Sequence, residues 1–195
     1  MNHALLIPIL LPLLCGAVLM LMSAKVSTAV RGLSTLSVVL LLLSVLYLLQ
    51  LANSGVIEVY TLGDWIAPFG IVLVLDRLSA LMLAVTAVLA LAVTLYALRG
   101  DDQRGSYFHA LLQFQLAGIN GAFLTGDLFN LFVFFEILLI ASYALLLHGL
   151  GTARIRSAVH YVILNLVGSG LFLIAAGLFY GVAGTLNLAD LALFV

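Results

Sequence analysis

Six stretches of almost continuous apolar sequence, at about residues 3–22, 30–51, 77–98, 107–125, 128–148 and 157–181, set the strongest limit on what this chain can fold into. Each is close to the roughly 20 residues a helix needs to cross a hydrocarbon layer of about 30 Å. Inside such a layer each segment must satisfy its own backbone N–H and C=O groups, which selects helices. Hydrophobic residues make up 65% of the 195-residue chain and charged residues 8%, and the net charge is -1. That balance excludes a soluble domain, and with no basic block it excludes a nucleic-acid partner. The expected fold class is all-α: a polytopic membrane helix bundle of six transmembrane helices embedded in a lipid bilayer.

The first run is read as a retained span, because no Lys or Arg precedes it and it is long for a signal peptide. Pro8 and Pro12 should loosen its opening turns. The one cysteine, Cys15, packs as a small hydrophobe. Residues 52–75 form the sizeable loop, where alternation over Val56 to Leu62 and the run Ile71 to Leu75 suit a short hairpin. Asp76 then suits the N-cap of the third span. Taking the connections alternately, Lys25, Arg31, Arg99, Arg104, Arg154 and Arg156 fall on one side and Arg77 on the other. By the positive-inside rule the six face the cytoplasm, so the N-terminus and the C-terminus both lie outside. Two units are expected: residues 1–98, with spans one to three and the outer loop, and residues 107–195, with spans four to six and a short outer helix capped by Asn187.

Chemistry concentrates in the fifth run, which opens at Asp127 and Asn130 and holds one carboxylate, Glu136. At 1.5 Å per residue it lies roughly 13 Å from Asp127, near the middle of the layer. A charge there is costly and is by default functional, so Glu136 is expected to face protein or water, as a proton relay or simply as a protonated, hydrogen-bonded acid. His160 could pass protons or simply make interfacial hydrogen bonds. His109 stands at the entrance of span four and His148 at the exit of span five; with His160 they would ring the cytoplasmic helix ends. Asn120 fits either interhelical packing or a hydrated pathway, and Asn165 with Gly168, Ser169 and Gly170 gives span six a closely packable surface beside spans four and five. Thr125, Gly126 and Asp127 make so short a turn that spans four and five must be an antiparallel hairpin. No metal spacing and no cofactor motif is present, so no cofactor is expected and the chain is not read as an enzyme.

The stretch Gly126-Asp127-Leu128-Phe129-Asn130-Leu131-Phe132-Val133-Phe134-Phe135-Glu136 through Tyr143 closely resembles the fifth transmembrane helix of the proton-conducting antiporter-like membrane subunits. These include the D subunits of Mrp-type sodium/proton antiporters and the large membrane-arm subunits of respiratory complex I. Tyr161 to Phe172 and Gly184-Thr185-Leu186-Asn187 are similar to the same Mrp component. The resemblance implies that Glu136 matches the family's fifth-helix glutamate. It also implies partnership with other hydrophobic subunits of an antiporter complex, carrying protons against sodium or potassium. A proton-pumping subunit of a quinone-linked oxidoreductase or hydrogenase-type complex is the alternative. Family members have about fourteen spans in two inverted repeats, so the chain is expected to be an N-terminal portion, the start of that fold, without the seventh-helix lysine expected to partner the glutamate.

Overall fold

A computed structural model describes residues 2–22, 25–65, 70–149 and 151–193. Six long helices form the body: α1 (Ile7–Met22), α2 (Thr28–Asn53), α3 (Arg77–Ala97), α4 (Phe108–Leu124), α5 (Leu128–Leu146) and α6 (Thr152–Ala183). A hairpin of β1 (Glu58–Thr61) and β2 (Val72–Leu75) separates α2 from α3, and a single turn, α7 (Leu188–Leu191), follows α6. The alternating loop thus does form strands, in the antiparallel register Glu58 to Leu75 and Thr61 to Val72. Pro68, between them, lies outside the described residues.

Local chemistry explains the boundaries. Ser27 accepts from the Val30 N–H to cap α2, and Asp76 and Ser79 form a reciprocal capping box on α3. The hydrogen bonds from the backbone and side chain of Ser79 hold the Asp76 carboxyl below its ordinary range. Asp127 caps α5 through the Asn130 N–H, and Asn187 caps α7. Gly184, in the left-handed region at φ 70°, ends α6.

Among the described residues five helices have the length and apolarity to cross a membrane, so this is a multi-pass membrane protein. The expectation of six full spans meets one exception. α4 has 17 residues, about 26 Å of helix, and it runs through the middle of the bundle. His109, Gln113 and Asn120 along it are all buried. The core joins Leu5 and Ile9 of the first segment, Val38 to Leu48 of α2, Leu83 and Ala87 of α3, Leu112 and Leu116 of α4, and Tyr60, Leu73 and Leu75 of the hairpin. α6 is different: among its described side chains Ala158 and Ala176 are the buried ones.

The helices alternate in direction, and each end of the bundle is tied by polar contacts. At one end the His3 ring shares a 3.0 Å hydrogen bond with the Tyr60 hydroxyl, and the Gly126 N–H donates to Val72 O at 2.8 Å. The turn also pairs with the segment after α6: Leu128 N–H donates to Leu186 O and Leu188 N–H to Gly126 O, both at 2.9 Å. A small layer of extended backbone therefore closes this end.

At the opposite end Arg31 grips Asp102 with two donors, Nε and Nη2, each at 2.7 Å, and His109 Nε2 lies 3.1 Å from the same carboxylate. His109 Nδ1 meets the Ser34 hydroxyl at 3.1 Å, and Gln113 continues the chain by donating to Ser34 O and accepting from Ser37. Burial of Asp102 works against its charge, but the hydrogen bonds from Arg31 and His109 outweigh it and hold the carboxyl below the usual range. One bidentate pair thus fastens the α3–α4 connection to α2.

Because the folded carboxyl is depressed, its stabilisation is complete above the ordinary carboxylate pKa of about 3.9. It is lost as pH falls through the lower folded value. Asp102→Ala should therefore cost about 3 kcal/mol at neutral pH, read as a lower thermal midpoint in detergent. The difference from the unsubstituted protein should shrink only below about pH 4.

Candidate functional site

Glu136 lies nine residues into α5, and its place follows from how α5 is used on its two sides. One side packs on α4, where Gly118 and Gly121 permit an approach that no larger residue would. A Cβ on Gly118 would lie 2.7 Å from Leu138 N and 2.9 Å from Phe134 O, and one on Gly121 would run into the Phe134 ring. Residues 132, 135, 136, 139 and 143 fall on another side at helical spacing, and that side meets α6.

There Glu136 is half-buried, and the Ser169 hydroxyl donates to Glu136 Oε1 across the α5–α6 contact. Aromatic pairs flank this bond. Phe132 stacks on Phe172 at 6.2 Å and Phe135 meets the same ring edge-on at 6.3 Å. Toward the basic end Tyr143 and Tyr161 pair edge-to-face at 5.7 Å, and Ser142 lies 3.3 Å from the Tyr161 hydroxyl. The carboxylate thus sits in a narrow apolar frame with one hydroxyl to meet it. Of the four phenylalanines near it in sequence, Phe132 and Phe135 line that frame, whereas Phe134 faces α4.

Of the other expected site residues, Asn165 lies one turn from Ser169 on the same face of α6, whereas His160 is on the opposite face and Asn120 and His109 turn from α4 toward α1 and α2. Asn120 is buried and donates to Pro8 O of α1 at 2.8 Å. Asn165 is half-buried and donates to Tyr161 O of its own helix at 2.8 Å. Among the described residues nothing lies within 4 Å of a Cβ built on Gly168 or Gly170, so neither glycine packs against another helix. The expected packing surface is corrected: α6 closes on α5 through its aromatic residues and Ser169, not through these glycines.

Of the three histidines expected at the cytoplasmic helix ends, two are brought together by one ring. His109 and His148 sit about the ring of Phe108, with centroids 5.4 and 5.0 Å from it. His148 Nε2 donates to Asp101 O at 2.8 Å, and Arg154 donates to His148 O. His160 stands apart, exposed on α6 with Nδ1 donating to Arg156 O at 2.9 Å. It is nine residues, roughly 13 Å, along the helix from Ser169. Two residues that matter here pass unmarked in the sequence, where Ser169 reads as packing and Asp102 as part of a charged turn. The signal for Ser169 is a hydroxyl near the middle of an apolar helix, where polar groups need a partner. Among the described residues no group of His, Cys, Asp and Glu could hold a metal ion.

The site is thus a mid-helix carboxylate with a hydroxyl partner, set between paired helices of a multi-pass membrane bundle. Residues 125–195 match the family described as NADH:quinone oxidoreductase/Mrp antiporter, TM. The chain is 53% identical over 197 residues to the D subunit of a probable K(+)/H(+) antiporter of Rhizobium meliloti, covering 98% of this chain and 36% of the relative. It is 42% identical to the D subunit of the Na(+)/H(+) antiporter of Bacillus subtilis, covering 98% and 39%. Among solved structures, a chain of the Mrp complex from Dietzia superposes with TM-score 0.91 at 31% identity, over 98% of this chain and 37% of that one. A chain of respiratory complex I from Thermus thermophilus gives 0.79 at 27%, over 96% and 38%. The chain is similar to these antiporter-like membrane subunits, and it spans well under half the length of the relatives it matches.

The close α4–α5 contact and the open α6 surface give opposite expectations for the same substitution. Gly118→Ala should force α4 and α5 apart against backbone and lower stability by about 1–3 kcal/mol. Gly168→Ala should be neutral or gain up to about 1 kcal/mol from helix propensity. Thermal unfolding of the two purified variants, side by side, checks the pair.

Proposed function

We propose that this chain forms part of a membrane subunit of a monovalent cation/proton antiporter, in which Glu136 takes up and releases the transported proton. The observation that carries the reading is the Glu136–Ser169 pair, an ionisable group held mid-helix within an aromatic frame. A hydroxyl is the right neighbour for a group that changes charge. It donates to the carboxylate, and by rotating it can accept from the protonated acid. Glu136 therefore keeps a partner in both states, and neither form is left unsatisfied in a low-dielectric setting.

The names of the relatives support sodium or potassium as the counter-ion and other hydrophobic subunits as partners. The likeness to complex I supports a second reading, a proton-pumping subunit of a redox-driven complex. In either case Glu136 does the same work, and the coupled process differs. We further read all six long helices as crossing a bacterial inner membrane, with α4 held at full depth by its neighbours. On this reading the chain ends and the hairpin lie outside, and the basic end faces the cytoplasm. Residues 1–98 serve as a supporting unit, and 107–195 belong to the transport unit. His160, Asn120, Asn165 and His109 stand as pathway or packing positions within that unit.

Inverted membrane vesicles holding the assembled complex, an external pH-sensitive dye and an imposed sodium or potassium gradient test the transport reading. Glu136→Gln should abolish exchange, Glu136→Asp should retain part of it, and Ser169→Ala should slow it several-fold. Ordinary exchange by an assembled Glu136→Gln complex would end the relay assignment. Exchange that needs a quinone-linked electron donor instead of an ion gradient would select the second reading.

Orientation has its own measurement. Cysteines introduced at Ser54 and Gly184 should react with an impermeant thiol reagent from the periplasm, and one at Gly151 from the cytoplasm alone. Cytoplasmic labelling at Gly184 would overturn the six-crossing arrangement.

A further inference from the structure

Asn120 has an environment that neither a packing residue nor a pathway residue requires. Its side chain is 1% exposed; Nδ2 donates to Pro8 O at 2.8 Å, and Oδ1 is buried with no hydrogen-bond partner among the described residues. A leucine or alanine here would bury no polar atom. The asparagine therefore delivers one N–H at the expense of an orphaned oxygen, and the acceptor says why. In α1 the carbonyl of residue 8 should receive the N–H of residue 12, four positions on. Residue 12 is proline, inside the helix, with no N–H to give. The Pro8 carbonyl is thus left open by Pro12, in a place where water cannot reach it.

We propose that Asn120 is a positioning residue that stands in for the missing Pro12 N–H, clasping α1 to α4 and so fixing α4 where it receives α5. This rests on the transport reading above, because the arrangement being held is the one that places Glu136. The linkage is short. Asn120 is adjacent to Gly121, against which the Phe134 ring of α5 is seated, and Glu136 is two residues beyond Phe134. On the other flank α1 and α4 are already close, since a Cβ on Gly16 would lie 3.2 Å from Ala110 O and 3.1 Å from the Phe114 ring. Small residues bring these helices together, but contact of that kind leaves sliding along the axis weakly opposed. A directional bond from Asn120 to one particular carbonyl sets the register.

The clasp predicts a dependence between two residues far apart in the sequence. Replacing Pro12 by a residue with an N–H lets α1 satisfy its own carbonyl, so the Asn120 donor becomes redundant. The subunit in its native membrane complex is prepared unsubstituted and as Asn120→Ala, Pro12→Ala and Asn120→Ala/Pro12→Ala, with Pro12→Leu as a second N–H donor. Thermal midpoint and Glu136-dependent exchange are both measured. Asn120→Ala alone should lower the midpoint by several degrees and slow exchange several-fold. Combined with Pro12→Ala or Pro12→Leu, most of both losses should be recovered. If Asn120→Ala does not assemble, recovery of assembly by either Pro12 substitution is the same result. Losses that simply add in the double variants, or an Asn120→Ala that leaves both readouts unchanged, would overturn the clasp. If the unsubstituted complex shows no Glu136-dependent exchange, the transport reading fails, and the midpoints alone still decide whether Asn120 answers Pro12.

Discussion

In a hydrocarbon setting a polar group persists only where another protein group meets it, and most of this structure can be read as the working out of that condition. The α3–α4 connection brings Asp102 inside, where Arg31 and His109 close on it. Ser34 and Gln113 extend the same chain of bonds between α2 and α4. At the other end the strand edges, the Thr125–Asp127 turn and the segment after α6 satisfy one another through main-chain bonds. The apolar core supplies cohesion without direction. The few polar ties determine which helix lies beside which, and at what height.

That division of labour explains the character of α4. It is short, it buries the polar side chains of His109, Gln113 and Asn120, and its functions are segregated around its circumference. Those three turn toward α1 and α2, while Gly118 and Gly121 turn toward α5. A helix so used need not be apolar enough to be stable in lipid alone, because little of it meets lipid. α6 is the converse, apolar and largely exposed, and it meets the rest of the fold chiefly through aromatic rings and the hydroxyls of Ser169 and Tyr161.

Local chemistry was legible in the sequence because it is written in neighbouring residues. The apolar runs gave the helices, Asp76, Asp127 and Asn187 gave their caps, and the alternation after Val56 gave the hairpin. Glu136 stood out because a carboxylate in such a run has no local reason to be there. What could not be read was pairing across the fold. Ser169 meets Glu136 from 33 residues away, and Arg31 meets Asp102 from 71. Nothing in the composition of either segment names the other. The glycines of α6 misled for the same reason. A small residue permits close contact but does not specify it, and Gly168 and Gly118 look alike until their neighbours are known.

The bonds that join the two sides of the α5–α6 pair have a mechanical meaning. At the basic end the chain itself connects Leu146 to Thr152, and at the other end Leu128 and Leu188 link the start of α5 to the segment after α6. The two helices are thus the uprights of a closed frame, pinned at both crossbars, with Glu136 partway up one upright. A frame of this kind resists splaying and yields by bowing or twisting, with its widest excursion at mid-height. The carboxylate stands near that mid-height, at the ninth of the 19 residues of α5.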